Sequence, residues 1–153
     1  MSDETESVPR IVVGTDGSDP AKEAVRWAVR QAQLTGAVVD AVISWEYPAL
    51  WAGWTPSAGD VFDWRDTASK ILNETLEEVV ASDPAFAAVK IRPVVVQGNA
   101  AAALLDIAEG ADLLVVGNRG HGGFARAVLG SVSQHVTQQA TCPVVVVRPP
   151  KSS

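Results

Sequence analysis

Runs of consecutive aliphatic residues alternate along this chain with segments in which apolar residues recur every three or four positions. The runs are residues 11–14, 37–44, 91–97, 112–117 and 143–148. Apolar side chains on successive residues are typical of strands that are covered on both faces, as in a parallel sheet. We therefore expect five largely buried strands.

The segments between these runs have the periodicity of amphipathic helices. They cover roughly residues 19–36, 61–82 and 100–109, and a fourth begins at residue 131. We expect Asp19 to cap the first helix, Pro20 to lie in its first turn and Gly36 to end it. Ser131 and Gln134 have the spacing of a capping box, which predicts the start of the fourth helix.

The alternation of strands and helices predicts one α/β domain, a doubly wound five-stranded parallel sheet with helices on both faces. We expect it to span residues 9–149, with short tails at residues 1–8 and 150–153. Turn-rich residues follow the first and fourth strands, and ligands bind beyond the carboxyl ends of the strands in such sheets. If both turns serve one site, these two strands must be neighbours, which favours the order 3-2-1-4-5 with right-handed crossovers.

Composition limits the class of protein. Of the 153 residues, 47% are hydrophobic and 20% are charged, which is ordinary for a globular domain, and no apolar run is long enough to cross a bilayer. The polar, acidic N-terminal residues do not have the pattern of a secretion signal, so we expect a cytoplasmic protein. Cys142 is the only cysteine, which excludes an internal disulfide and indicates a small buried residue before the last strand.

Charge is distributed unevenly along the chain. The net charge is −6, yet no Asp or Glu follows Asp112, whereas Arg119, Arg126, Arg148 and Lys151 do. A nucleic-acid-binding protein usually carries an overall basic excess, which this sequence lacks. A short segment can lose its acids by chance, but the distribution also favours a local anion site in the last third of the chain.

The segment GNRGHGGFARAVLGS, residues 117–131, contains five glycines that two common phosphate-binding patterns do not explain. A P-loop needs a lysine after its last glycine, and no lysine occurs between Lys90 and Lys151. Residues 120–125 match the dinucleotide pattern G-x-G-x-x-A, but no acidic residue follows that could hold the ribose.

A third arrangement fits this segment. Gly117 and Gly120 leave backbone N–H groups accessible to phosphate oxygens. After nine intervening residues, Gly130 and Ser131 place a hydroxyl and unpaired amides at a helix N-terminus. The partial positive charge of a helix N-terminus favours anions. The segment is therefore predicted to hold a polyphosphate.

Five motifs along the chain resemble those of one protein family. They are the spaced motif Gly117-x2-Gly120-x9-Gly130-Ser131, the opening IVVGTDGS, the AVISW of the second strand, the run GADLLVVGNRG and the closing TCPVVVVR. Over about residues 8–149 they make the chain similar to the universal stress protein family, in its ATP-binding branch. The resemblance implies a five-stranded sandwich, a bound adenine nucleotide and dimers that pair through the last strand, from Pro143 to Arg148.

The resemblance also implies roles for individual residues. Asp16 would lie near the ribose or a phosphate-bound Mg²⁺, and Val42 would meet the adenine through its backbone. Asn118 departs from the family, which often has a serine there. The candidate ligand-binding residues are Gly14, Thr15, Asp16, Val42, Gly117, Asn118, Arg119, Gly120, His121, Gly122, Gly123, Gly130, Ser131, Val132 and Ser133, with Asp16 also the candidate metal ligand.

Other roles stay open for several of these residues. Asp16 stands in a turn-forming sequence, and Ser131 is a good helix cap in its own right. Arg119, between the paired glycines, is a better phosphate ligand than Arg126. His121 has no partner at a metal-ligand spacing, so a metal or catalytic role for it is disfavoured.

Two segments suggest further contacts. Residues 45–64 carry four of the five tryptophans and could form a flap over the adenine, a patch for a protein partner or a segment ordered only in complexes; we prefer the flap. The last strand, at a sheet edge, would expose apolar residues that a second copy could cover, so we expect a homodimer.

These observations leave three classes of function. The leading hypothesis is a dimeric stress-response regulator that binds ATP with Mg²⁺, or alternatively cAMP, and is not an enzyme, because no acid in the glycine segment is placed as a general base. A slow ATP-hydrolysing or nucleotidyl-transferring enzyme is the second, although the His-x-Gly-His pair of such enzymes is absent. An interaction module without a ligand is the third, and the intact glycine spacing argues against it.

Overall fold

Strands and helices alternate throughout the computed structural model, which describes residues 8–46, 58–118 and 131–148. The elements are β1 (Arg10–Gly14), α1 (Asp19–Thr35), β2 (Val38–Trp45), α2 (Ala58–Ala81), a short 3-10 helix (Pro84–Ala88), β3 (Ile91–Gln97), α3 (Ala100–Ile107), β4 (Leu113–Gly117), α4 (Ser131–Gln139) and β5 (Val144–Val147). Each predicted strand is confirmed to within one residue at either end. Among the described residues, no helix has both the length and the apolar character that a bilayer crossing requires.

The five strands form one parallel sheet in the order β3-β2-β1-β4-β5. This confirms the order that a shared site after β1 and β4 predicted. β1 lies at the centre, where Val13 is paired with Ala41 of β2 on one side and with Val115 of β4 on the other. The chain therefore leaves β1 and β4 side by side at the carboxyl edge of the sheet.

Alternate residues of the strands feed two separate cores. On one face, Ile11 and Val13 pack with buried residues of α1 and α2, such as Val29 and Leu72. On the other face, the second core joins the remaining strand residues to Leu104 of α3 and to α4. This doubly covered sheet explains why the strands read as continuous aliphatic runs.

The start of α1 differs from the prediction. Ser18, not Asp19, is the N-cap residue, because its side chain accepts a hydrogen bond from the Ala21 N–H (3.3 Å). Pro20 lies in the first turn as predicted. Gly36 ends the helix with a left-handed φ of 78°, a conformation that glycine adopts without steric cost.

The tryptophan-rich stretch is shorter at both ends than the sequence indicated. Trp45 is the last residue of β2 and is buried, and α2 begins at Ala58, three residues before the predicted start. Trp64 lies on α2 and is exposed. Residues 47–57 lie outside the described residues, so the flap over the adenine stays a prediction.

A buried carboxylate ties three strands together near the amino end of the sheet. Asp40 of β2 accepts two hydrogen bonds from Arg92 of β3 (2.6 and 3.1 Å) and one from Arg10 of β1 (3.1 Å). Arg10 also donates to the carbonyl oxygens of Ile107 and Glu109 at the end of α3 (3.0 Å each). Burial raises the pKa of Asp40, but the hydrogen bonds from Arg92 and Arg10 outweigh it, so this pKa lies below its ordinary value.

Candidate functional site

The loop after β1 is folded by its own side chains. The Thr15 N–H donates to the carbonyl oxygen of Val42 (2.9 Å), which extends the β1–β2 pairing by one residue. The Thr15 hydroxyl then accepts from the Gly17 N–H (3.1 Å), and Oδ1 of Asp16 accepts from the Ser18 N–H (2.9 Å). Asp16 is therefore a turn-forming residue, and its half-buried carboxylate is held at the carboxyl edge of the sheet.

At two positions of this region, neighbouring helices lie so close that only glycine fits. A Cβ added to Gly14 would lie 2.7 Å from a terminal methyl carbon of Leu104 on α3. A Cβ added to Gly17 would overlap the Cγ2 methyl of Ile71 on α2, and Gly17 also has a left-handed φ of 84°. Gly14 and Gly17 thus allow one helix on each face to pack against the start of the loop.

Val42 lies beside this loop on β2. Its side chain is almost fully buried in the core that contains Leu104, so only its backbone is suited to meet a ligand. The carbonyl oxygen already accepts one hydrogen bond, from Thr15, and retains a second lone pair. This agrees with the backbone role that the family resemblance implies.

The end of β4 and the start of α4 are joined directly. The Ser133 hydroxyl donates to the carbonyl oxygen of Gly117. The Asn118 N–H donates to the carbonyl oxygen of Val147 on β5 (2.8 Å). The two halves of the spaced glycine motif therefore lie together, as a grip on one ligand requires.

Asn118 has a buried polar atom that the described residues leave unsatisfied. The residue is 4% exposed, and no described residue donates a hydrogen bond to its Oδ1 atom. A buried acceptor without a donor costs about 1–3 kcal/mol. A bound ligand, or its ordered water, would remove this cost.

Nine of the fifteen predicted site residues are among the described residues, and they lie in two groups. Gly14, Thr15, Asp16 and Val42 come together at the ends of β1 and β2, and Gly117, Asn118, Ser131, Val132 and Ser133 come together at β4 and α4. The predicted phosphate ligands Arg119, Gly120, His121, Gly122, Gly123 and Gly130 lie outside the described residues. No cluster of three or more His, Cys, Asp or Glu residues suited to a metal occurs in the described part of the chain.

The sequence predicted the start of α3 at Ala100, but not that this N-terminus opens at the same edge of the sheet as the candidate site. Asn99 caps it by accepting a hydrogen bond from the Ala102 N–H (3.0 Å), directly after Gly98, whose φ is 130°. The first turn of α3 contains no acidic residue. The run Gly98-Asn99 after a strand was the available signal, since both residue types favour such a junction.

With this geometry in place, comparison with known proteins identifies the family. A family model described as the universal stress protein family matches residues 8–148. The chain belongs to the universal stress protein family. A member from Thermus aquaticus is 36% identical over 141 residues, which cover 90% of this chain and 97% of that protein. The family membership that the five motifs indicated is confirmed.

Other universal stress proteins differ from this chain in length. A relative from Methanocaldococcus jannaschii is 34% identical over 147 residues and is covered to 83% of its length. One from Mycolicibacterium smegmatis is 33% identical over 139 residues, but this chain spans only 45% of it. The chain therefore spans less than half of that mycobacterial relative and nearly all of the Thermus one.

Solved structures share the fold. A universal stress protein in complex with cAMP is 29% identical, with a TM-score of 0.65 over 93% of this chain and 98% of that one. UspA from Lactobacillus plantarum is 22% identical, with a TM-score of 0.70 over 92% of this chain and 97% of that one. The doubly wound architecture is thus that of the family.

Proposed function

We propose that this universal stress protein binds an adenine nucleotide, with ATP and Mg²⁺ as the preferred form, and acts as a non-enzymatic regulator of the stress response. The observation that carries the proposal is the pairing of β1 with β4, which brings the Asp16 loop and Asn118 to one edge of the sheet. The buried Oδ1 of Asn118, to which no described residue donates a hydrogen bond, supports a ligand at this edge.

The β1–α1 loop and β2 would hold the nucleoside. The Asp16 carboxylate, oriented by the Ser18 N–H, suits the ribose hydroxyls or a nucleotide-bound Mg²⁺, which prefers carboxylate oxygens. The second lone pair of the Val42 carbonyl suits the exocyclic amino group of adenine. A bound Mg²⁺ would supply charge neutralisation to the phosphates.

The start of α4 would hold the phosphates. Its first turn contains no acidic residue, and a helix N-terminus attracts anions. The hydroxyl hydrogen of Ser133 is used in the bond to Gly117, so the backbone amides of this turn would make the phosphate contacts. The predicted glycine motif would add further backbone N–H groups, from Gly117, Gly120, Gly122, Gly123 and Gly130.

A cyclic nucleotide is the second candidate ligand. The 29% identical universal stress protein whose structure holds cAMP favours it. The nucleoside contacts proposed for Asp16 and Val42 are the same for ATP and cAMP, so they do not select the number of phosphates. Titration with both ligands decides between them.

We also propose that two copies pair through β5. β5 lies at an edge of the sheet, and its four valines are only half-buried. An exposed apolar edge strand is normally covered or paired. Light scattering at micromolar concentration should give twice the mass of one chain, and the mass of a single chain would contradict pairing.

Calorimetric titration of nucleotide-stripped protein tests the nucleotide site. We expect saturable binding of ATP with Mg²⁺, and weaker binding by at least about tenfold in Asp16→Asn, since a charge-assisted contact is lost. Asp19→Asn is the matched control, because Asp19 is an almost fully exposed carboxylate three residues further on. Absence of binding by every adenine nucleotide would favour the interaction module, and sustained phosphate release would favour the enzyme.

A further inference from the structure

We propose that Ile71 of α2 is the positioning residue for the Asp16 carboxylate. It fills the space beside Gly17 and so holds the β1–α1 loop in one shape. The proposal deepens the proposed function, because it makes nucleotide affinity at Asp16 depend on a helix that supplies none of the candidate ligand-binding residues.

Gly17 and Ile71 fit together without spare room. A Cβ built on Gly17 would overlap the Cγ2 methyl of Ile71 and would lie 3.9 Å from its Cβ. Gly17 also has a φ of 84°, which other L-residues rarely adopt. The loop is thus pressed closely against α2 at the residue where it turns.

Hydrogen bonds within the loop couple the orientation of the Asp16 carboxylate to the backbone of Gly17. The bond from the Ser18 N–H to Asp16 Oδ1 (2.9 Å) spans Gly17, and the Gly17 N–H itself donates to the Thr15 hydroxyl (3.1 Å). A change in the Gly17 backbone would therefore move the donor that orients the carboxylate. Ile71 acts on Asp16 through these bonds.

The helix that carries Ile71 is itself firmly placed. Leu72 and Val79 are fully buried in the core beneath it. Glu78 of α2 also pairs with Lys22 of α1 (2.9 Å), a surface contact between α2 and the helix that follows the loop. The Ile71 side chain is therefore held in place against Gly17. Truncating Ile71 would remove the packing contact that restricts the loop.

Three variants of α2 test the proposal by calorimetry with ATP and Mg²⁺. Ile71→Ala removes the methyl that meets Gly17, whereas Ile71→Val keeps a methyl at that branch. Leu76→Ala is the matched control, because Leu76 is a half-buried aliphatic residue of the same helix and core. We expect Ile71→Ala to weaken binding about tenfold and the other two to stay within about twofold of the wild type, as loss of positioning requires.

A double-mutant cycle separates positioning from general destabilisation. If Ile71 acts through Asp16, then Ile71→Ala should cause no further loss of affinity in the Asp16→Asn background. Equal losses in both backgrounds would overturn the proposal. So would wild-type affinity in Ile71→Ala.

Amide hydrogen exchange in the ligand-free protein tests the positioning of the loop without any nucleotide. The Gly17 and Ser18 amides should exchange about tenfold faster in Ile71→Ala than in the wild type, and should be unchanged in Leu76→Ala. Unchanged exchange in Ile71→Ala would refute positioning whatever binds. If the loop responds but the wild type binds no nucleotide, the proposed function fails and the positioning of the loop stands.

Discussion

The hydroxyl of Ser133 donates a hydrogen bond to the carbonyl oxygen of Gly117. Gly117 begins the spaced glycine motif, and Ser133 lies two residues beyond its last residue, Ser131, and sixteen positions along the chain from Gly117. Ser133 is almost fully buried, so this bond is shielded from water and fixes the first turn of α4 to the end of β4. The first residue of the motif is therefore joined to the start of α4 by a residue that lies outside the glycine pattern.

Ser133→Ala should therefore loosen the start of α4. The variant leaves the Gly117 oxygen without its donor, and we expect a loss of about 1 kcal/mol in the free energy of unfolding, measured in urea. Thr137→Ala is the control, since the exposed Thr137 hydroxyl bonds only to its own helix at Gln134. Equal stability losses in the two variants would show that burial of the Ser133 bond has no effect.

Asp40 should give the protein an acid-sensitive component of stability. Because Arg92 and Arg10 hold its pKa below the ordinary value, ionised Asp40 stabilises the fold at pH values above the unfolded-state pKa, about 3.9. This stabilisation is lost as the pH falls through the lower folded-state pKa. Asp40→Asn should therefore cost about 1–3 kcal/mol at neutral pH, because it removes the negative charge that Arg92 and Arg10 face and replaces one of the two acceptor oxygens with an NH2 donor.

The pH dependence checks that assignment. The stability difference between wild type and Asp40→Asn should shrink as the pH falls below the unfolded-state pKa, about 3.9, towards the lower pKa of the folded state, where the wild-type carboxylate loses its charge. Chemical denaturation at a series of pH values measures it, with the exposed Asp106→Asn as a control. A difference that stays constant down to acid pH would contradict a charge effect.

The order of the strands could be predicted from the sequence because the turn-rich loops after β1 and β4 were expected to form one site. A shared site requires β1 and β4 to be neighbours in the sheet. The aliphatic runs gave the strands, since residues such as Val12 and Val13 are buried on opposite faces. Asp40 could be placed in the second strand, but its partners Arg10 and Arg92 lie thirty and fifty-two residues away. Local patterns contain no information about such pairings.

The site was predictable in part for the same reason. The positions of Thr15 and Asp16 followed from the turn after β1, whereas the support from Ile71 did not. Nothing in the apolar pattern of α2 separates Ile71 from Leu76, which are both half-buried and pack against the same core. Only the tertiary packing shows that Ile71 meets Gly17.

Cys142 should react slowly with thiol reagents. Partial burial is the largest influence on the pKa of its thiol and raises it, although a backbone hydrogen bond and the charge of Arg10 act in the opposite direction. The thiolate is the reactive form, so its fraction at neutral pH is lower than in an unfolded chain. The rate of reaction with an aromatic disulfide should be measured as a function of pH. The midpoint pH of the native protein's rate profile should lie above that of the protein unfolded in urea, and Cys142→Ser gives the background rate. A lower midpoint in the native protein would contradict the effect of burial.

Gly17→Ala should destabilise the protein more than Gly36→Ala. Both glycines have left-handed φ values, 84° and 78°, so both substitutions carry the same conformational cost of about 1–2 kcal/mol. A Cβ at Gly36 meets nothing within 4 Å, whereas one at Gly17 overlaps Ile71. The overlap should add about 1–3 kcal/mol, as overpacking of a filled site does.

The Ile71 side chain decides whether this additional cost comes from the contact. In an Ile71→Ala background the methyl group is gone, so Gly17→Ala should cost no more than Gly36→Ala does there. Urea denaturation of the two single glycine variants and the two double variants provides the four free energies of unfolding. If Gly17→Ala remains the more costly substitution after Ile71 is truncated, the strain lies in the loop itself and α2 does not set its shape.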